Sequence, residues 1–299
     1  MYASVPMLAI GVQQYSINVV KLIVFTVICL YSGFFAALIW NDITDVDIDA
    51  VAHPDRPIPS GRISKKKFFA IALVFSALTF IFSVLISIIC FLIVGFAALF
   101  VTFHDKYLKK KVKIPAYSEI FTPFQWIVVV LFGFFAGWTA LPQTSEIIIN
   151  ISYLGSISTD KTTVIQMLIL ILFTYFADNA HDLAEGIVDA DGDKKQGVKT
   201  YATSFGGKNA ARISFIWFLI SGVLGFLLFF FTILSYFFLV LFIFIWCYMM
   251  YYSYRLLKAK PYEFKKIGAI VGRKGFDYFL ICYVLIFIDV LIQVLLFNF

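Results

Sequence analysis

The chain has 299 residues, 62% of them hydrophobic and 14% charged, and a mean hydropathy of +0.92; a soluble domain carries roughly a quarter charged residues, so that class is excluded. The net charge is +6, from 24 Lys and Arg against 18 Asp and Glu. No basic-aromatic nucleic-acid module accompanies it, which excludes nucleic acid as a partner.

Apolar stretches near the ~20 residues that cross a bilayer recur along the whole length. The first, residues 3–15, is short and broken by Pro6 and Gly11, so it reads as a partial helix. Full spans follow at 19–40, 68–87, 88–103, 117–141, 163–180, 213–231, 233–256 and 276–297. As one helix, 68–103 would be about 54 Å long, too long for a single crossing, so a hairpin is placed near Ser87. The expectation is one all-α, polytopic membrane domain, 1–299, with eight or nine transmembrane helices. No basic leader or cleavage site of a signal peptide is seen. Cys29, Cys90, Cys247 and Cys282 all lie inside spans without zinc or disulfide spacing, and read as packing residues.

Charge placement agrees with this map. Four segments, 56–67, 106–113, 194–212 and 255–274, hold 22 of the 24 Lys and Arg. They fall on alternate connections and hence on one face, which the positive-inside rule makes cytoplasmic. The expected location is therefore the cell membrane, with lipid bilayer around the spans.

Ten of the eighteen acidic residues form two groups at this same face. The first holds Asp42, Asp45, Asp47 and Asp49, preceded by Asn41. The second holds Asp178, Asp182, Glu185, Asp189, Asp191 and Asp193. On a helix, Asp42, Asp45 and Asp49 share an arc of roughly 60°, with Asn41 beside them and Asp47 opposite. Asp178, Asp182, Glu185, Asp189 and Asp193 share an arc of roughly 80°, with Asp191 opposite, provided that the helix continues through Gly186 and Gly192. Grouped carboxylates beside a membrane repel one another and are costly, so such stripes call for a cation, and their oxygens suit Mg²⁺. Two facing stripes match a diphosphate bridged by Mg²⁺, in which the ions draw off the leaving group.

Basic residues stand nearby. The Pro- and Gly-stiffened loop 53–62 carries Arg56 and Arg62, whose planar forks suit phosphate oxygens. Lys65, Lys66 and Lys67 read as a lipid anchor, and Lys194 as a phosphate contact or a solvated charge. His181 lies just off the second stripe, in a supporting position, whereas His53 and His104 read as loop residues. Glu119, near the cytoplasmic end of its span, is a candidate acceptor contact. Asp289 is far from both groups and receives no role. The 36 Phe either face lipid or line an isoprenoid tunnel.

These residues resemble the UbiA superfamily of intramembrane prenyltransferases. The likeness rests on Asn41-Asp42-x-x-Asp45-x-x-x-Asp49, on Arg56-Pro57-Ile58-Pro59-Ser60-Gly61, on Leu108-Lys109, and on Asp189-x-x-Gly192-Asp193-x-x-x-Gly197-x-x-Thr200. It implies helices around a central cavity and Mg²⁺-dependent transfer of a prenyl group from its diphosphate to a lipophilic acceptor. By resemblance, Asn41, Asp45 and Asp49 hold one Mg²⁺ with Asp42 adjoining. Glu185, Asp189 and Asp193 hold the second, with Asp182 available upstream. Asp45, Asp49, Asp189 and Asp193 would carry catalysis, and Asn41, Arg56, Arg62, Lys109 and Lys194 would bind substrate. Glu185 departs from the Asp usual in the family.

Residues 41–64 are similar to archaeal digeranylgeranylglyceryl phosphate synthases, which places geranylgeranylglyceryl phosphate first among acceptors. Aromatic acceptors of quinone or chlorophyll-type pathways come second. An ion-coupled transporter would place its acids near the midplane. A CDP-alcohol phosphotransferase would show Asp-Gly-x-x-Ala-Arg, which this chain lacks.

Overall fold

The computed structural model describes residues 1–12, 15–44, 46, 50, 54–108, 111–121, 123–141 and 147–298, without the side chains of 105, 106, 118, 196, 297 and 298. Helix α1 (Ser4–Ile10) is followed by α2 (Ile17–Thr44) and α3 (Lys65–Ile86), which pack as an antiparallel pair. Trp40 Nε1–H donates to Ser76 Oγ across that pair at 3.0 Å, and Ile39, Ile43 and Ala72 bury a small core beside it.

The 68–103 stretch divides at Ser87, as the length argument requires. Ser87 is extended (φ −166°, ψ 158°), and its Oγ accepts from the Cys90 N–H at 3.1 Å to start α4 (Ile88–Phe103). The same oxygen accepts from Thr139 Oγ1 at 2.8 Å, tying the hairpin to the helix that carries Thr139. A π-helical turn, His104–Leu108, ends α4; α5 (Tyr117–Phe121) and α6 (Phe124–Ala140) follow, and the candidate span Glu119–Ala140 stands where a span was expected over 117–141. A β-hairpin follows, β1 (Ile147–Ile151) with β2 (Gly155–Thr159), Ile149 opposite Ile157. It adds a small sheet to the expected all-α fold, at a run of β-branched residues too short to cross a membrane.

Helix α7 (Lys161–Gln196) starts where Asp160 Oδ1 accepts the Thr163 N–H at 2.7 Å. It runs unbroken through Gly186 and Gly192 and stops at Gly197, whose left-handed φ of 75° terminates it. At 36 residues it is about 54 Å long, well over the ~30 Å hydrocarbon thickness, so its acidic end is carried clear of the lipid core. Then come α8 (Tyr201–Phe205), α9 (Gly207–Phe231), α10 (Tyr236–Lys258) and α11 (Phe264–Asn298). Among the described residues, 7 helices are long and apolar enough to cross a membrane, and α4 is a shorter apolar helix.

Helix α1 is the partial helix expected at the amino end. Its seven residues reach only ~10 Å, and all are buried, packed between α6 and α11. Helices α2, α3, α4 and α6 form one half of the bundle, and α7, α9, α10 and α11 the other. They meet where α6 packs on both α2 and α7. The second half is stitched by polar contacts: Ser214 Oγ to Ala180 O (2.6 Å), Trp246 Nε1 to Phe218 O (2.9 Å), Ser221 Oγ with Tyr278 OH (3.1 Å), and Thr174 with Tyr283. Each such bond is worth about 0.6 kcal/mol inside a membrane.

The connections sort by end. At one end the Ala116 N–H donates to Ser204 Oγ (3.3 Å), and Lys265 Nζ pairs with Asp191 (2.7 Å). The basic segments 194–212 and 255–274 thus meet at the carboxyl end of α7. At the other end Gln166 Nε2 donates to Phe231 O at 2.9 Å.

Candidate active site

Because α7 is continuous, Asp178, Asp182, Glu185, Asp189 and Asp193 do lie on one stripe of its surface. The stripe runs from the interior outward: Asp178 is 1% exposed, Asp182, Glu185 and Asp193 are half-buried, and Asp189 is exposed. Its inner part walls a cavity of about 370 Å³ between α6, α7 and α11, lined by Gln125, Trp126, Asp178, His181, Asp182, Glu185 and Phe276.

His181 is central to this wall rather than beside it. Its Nε2 lies 3.1 Å from Asp178 Oδ1, while Nδ1 lies 3.4 Å from Asp182 Oδ1 and 3.9 Å from Glu185 Oε1. Its ring meets Phe276 edge-on, with centroids 5.4 Å apart. The donor atoms of His181, Asp182 and Glu185 all lie within 4.8 Å of one another. Asp178 Oδ2, Asp182 Oδ2 and His181 Nδ1 are buried without a hydrogen bond. Buried acceptors that face only one another are costly, and a cation held among them removes that cost. The donor set therefore fits a divalent ion.

Two glycines bring α11 close enough to shape the wall. A Cβ at Gly275 would lie 2.5 Å from His181 Cβ, and one at Gly272 would overlap the Glu185 side chain. The signal was present in the sequence as Gly268, Gly272 and Gly275, small residues at helical spacing just ahead of the last expected span and on one face of α11, the pattern that lets membrane helices approach. Gly272→Ala is expected to push Glu185 aside and destabilise the bundle by about 1–3 kcal/mol. Thermal unfolding in detergent should report this. Gly192→Ala, whose Cβ would meet nothing within 4 Å, serves as the comparison and should stabilise by up to about 1 kcal/mol through helix propensity.

The first acidic group closes α2. Asn41 and Asp42 are half-buried, and Asp42 Oδ1 lies 3.4 Å from Arg56 Nη1. Phe34, seven residues before Asn41 and on the same face of α2, stacks on the cavity residue Trp126 at 6.3 Å. That face of α2 is thereby turned toward α6. Asp45, Asp49 and Lys109 lie outside the described residues, as do Asp47 and His53. Arg62 folds onto its own loop, donating to Ser60 Oγ at 3.0 Å and to the carbonyl of Asp55. Lys194 is exposed and outside the cavity lining. Asp191 points off the stripe to Lys265.

Glu119 Oε1 accepts the Tyr201 N–H at 2.6 Å, holding the start of α8 against α5, while its Oε2 is buried without a hydrogen bond. His104 belongs to the π-helical turn and stacks on Tyr117 at 5.6 Å, so it is no loop residue.

The sequence model of the UbiA prenyltransferase family matches residues 3–266. The chain belongs to that family. With its apolar helices it is a UbiA integral membrane protein. Digeranylgeranylglyceryl phosphate synthase of Saccharolobus solfataricus is 28% identical over 187 residues, 62% of this chain and 58% of that protein. The Methanosarcina mazei synthase of the same name is 28% identical over 213 residues, 71% and 64% respectively. The chain thus spans about three fifths of the length of these curated relatives. In fold, it matches an apo UbiA homologue from Aeropyrum pernix K1 with a TM-score of 0.67, at 14% identity, over 98% of this chain and 97% of that one. A UbiA homologue from Archaeoglobus fulgidus, solved with GPP and Mg²⁺, matches at 0.50 and 14% identity over 98% and 92%.

Proposed function

We propose that this UbiA protein transfers a prenyl group, geranylgeranyl, from its diphosphate to geranylgeranylglyceryl phosphate, with Mg²⁺ as cofactor. The observation that carries the reading is the carboxylate wall on α7, which lines a cavity together with Trp126 and Phe276 at the end of the bundle where basic connections gather. The names of the relatives in the site's family support the acceptor. In this reading residues 1–299 act as one domain in the cell membrane, with the site on the cytoplasmic side, where 22 of 24 Lys and Arg lie.

Asn41, Asp42, Asp45 and Asp49 would hold one ion, and Asp182, Glu185, Asp189 and Asp193 the other. Bound Mg²⁺ would offset the negative charge that builds on the diphosphate. Arg56, Arg62, Lys109 and Lys194 would meet its outer oxygens in this reading. The bond from C1 to the ester oxygen of the diphosphate breaks, its electron pair leaving with the diphosphate. The acceptor hydroxyl then donates a pair to C1 and passes its proton to the departed diphosphate. Trp126 and Phe276 give the cavity its apolar surface, and keeping water from the site would protect the allylic cation.

The test is product formation by purified protein given geranylgeranyl diphosphate, with geranylgeranylglyceryl phosphate and 4-hydroxybenzoate in competition. An ether product is expected, dependent on Mg²⁺. A prenylated ring would move the acceptor to the aromatic class, and absence of any prenyl product would overturn the reading.

A further inference from the structure

We infer that α10 and α11 together form a binding site for the phosphate headgroup of an anionic membrane lipid, built from Lys274, Arg255, Tyr248 and Tyr252. The site lies apart from the acidic cavity. Gly272 and Phe276 turn α11 toward that cavity, and Lys274, two residues from each, projects from nearly the opposite face. None of these four residues enters the prenyl-transfer reading, so the inference stands independently of it.

Depth comes first. Lys274 is ten residues into α11, ~15 Å along the helix, and the apolar run 276–297 begins two residues later. Tyr248 is ten residues before the end of α10, so the two meet at the edge of the hydrocarbon. A lysine at that depth ordinarily stretches its stem to put the ammonium in water. Lys274 is instead half-buried, and its Nζ donates to the Tyr248 hydroxyl. The ammonium lies 4.8 Å from the centroid of the Tyr248 ring and 4.6 Å from that of Tyr252, and the two rings are 5.0 Å apart.

Arg255 brings a second cation to the same ring, with Cζ 5.9 Å from the centroid of Tyr252 and equally far from that of Tyr251. Among the described residues neither cation pairs with a carboxylate, and Asp277, one turn further along α11, makes no ion pair. Gathered cations repel, and more strongly beside hydrocarbon than in water. An anion between them removes that cost. The donors suit phosphate: Lys274 keeps two ammonium hydrogens beyond its bond to Tyr248, Tyr248 keeps its own O–H, and Arg255 offers a planar fork. The surface below makes this phosphate a lipid's. Phe244, one turn below Tyr248, is 69% exposed, and Ile281, two turns below Lys274, is 42% exposed. They continue the same two helix faces into the hydrocarbon, where a lipid tail lies.

The test uses the full chain, purified in detergent and stripped of lipid. It is titrated with phosphatidylglycerol and separately with phosphatidylcholine, and bound lipid is counted by native mass spectrometry. One phosphatidylglycerol per chain should bind at least about tenfold tighter than phosphatidylcholine. Lys274→Gln and Arg255→Gln should each weaken phosphatidylglycerol by about fivefold, and Tyr248→Phe by about threefold. Lys66→Gln, which removes an equal charge from the other half of the bundle, should change it by less than about twofold. Equal affinity of the unmutated protein for both lipids overturns the proposal, and that comparison decides it even where a variant fails to fold. Equal losses from Lys66→Gln and Lys274→Gln would reduce the effect to diffuse surface charge and overturn it as well. Excess inorganic phosphate should leave the lipid bound; displacement would make this a site for free phosphate and overturn the lipid assignment.

Discussion

Asp182→Ala is expected to lower prenyl turnover by about 10²- to 10³-fold, the scale seen when one preorganised electrostatic group is lost from an active site. The residue lies on the cavity wall, with Oδ1 3.4 Å from His181 Nδ1 and Oδ2 buried without a hydrogen bond. Its negative charge is therefore not spent on a protein cation at Oδ2, and remains available to an ion at the site. Removing it leaves any bound ion held by fewer ligands in a poorly solvated place, where each charge counts for more than in water. Asp182→Asn should lose nearly as much, since it keeps the shape and discards the charge. Asp191→Ala is the comparison. Asp191 is on the same helix but faces away, paired in solvent with Lys265 at 2.7 Å, and exposed pairs contribute ~0–1 kcal/mol. Initial rates on folded variants should separate the two by at least about a hundredfold. Equal losses would mean that the outward face of α7, rather than the cavity, meets the substrate.

The sequence reading recovered what periodicity and length control. Spans emerged because apolar runs near bilayer thickness admit few other structures, and Ser87 emerged because one helix could not hold 36 apolar residues in a single crossing. The stripe on α7 followed from 3.6-residue periodicity once the helix proved continuous. Gly186 and Gly192 each cost about 1 kcal/mol of helix propensity, yet packing of α7 against α9 and α11 outweighs that. What stayed hidden depends on contacts between distant segments. His181 sits just off the stripe by angle, and only its side-chain direction, set beside Gly275, brings Nδ1 back to Asp182. Glu119 was legible as an intramembrane acid, but its partner, the Tyr201 N–H, is 82 residues away. Helix α1 was legible as short and apolar, and its insertion between α6 and α11 was not.

Asp289 shows the same limit from the other side, and its replacement should be the most damaging to stability. Asp289→Ala is expected to destabilise the protein by about 3–5 kcal/mol, because three buried donors lose one charged acceptor at about 1–3 kcal/mol each. The carboxylate is 1% exposed in α11 and accepts the Ser235 N–H at 2.9 Å, the Ser235 hydroxyl, and Gln293 Nε2 at 2.8 Å. Ser235 is the N-cap of α10, and its Oγ in turn accepts the Phe237 N–H at 3.1 Å. The acid thus lies at the positive end of a helix whose first donors have no intrahelical partner. Alanine would strand two donors of Ser235 and one of Gln293 where little water can replace the lost acceptor. Asp289→Asn should cost less, about 1–3 kcal/mol, because one amide hydrogen then faces donors while the carbonyl still accepts. Ser235→Ala added to Asp289→Ala should cost less than the sum of the two, since each breaks the same network. The half-life of activity on heating in detergent measures this directly. Turnover below the unfolding range should stay near that of the unmutated protein, because Ser235 and Asp289 lie at the end of the bundle away from the acidic cavity. A loss of turnover with unchanged heat stability would instead assign Asp289 to function, as its place inside a membrane span would by itself imply.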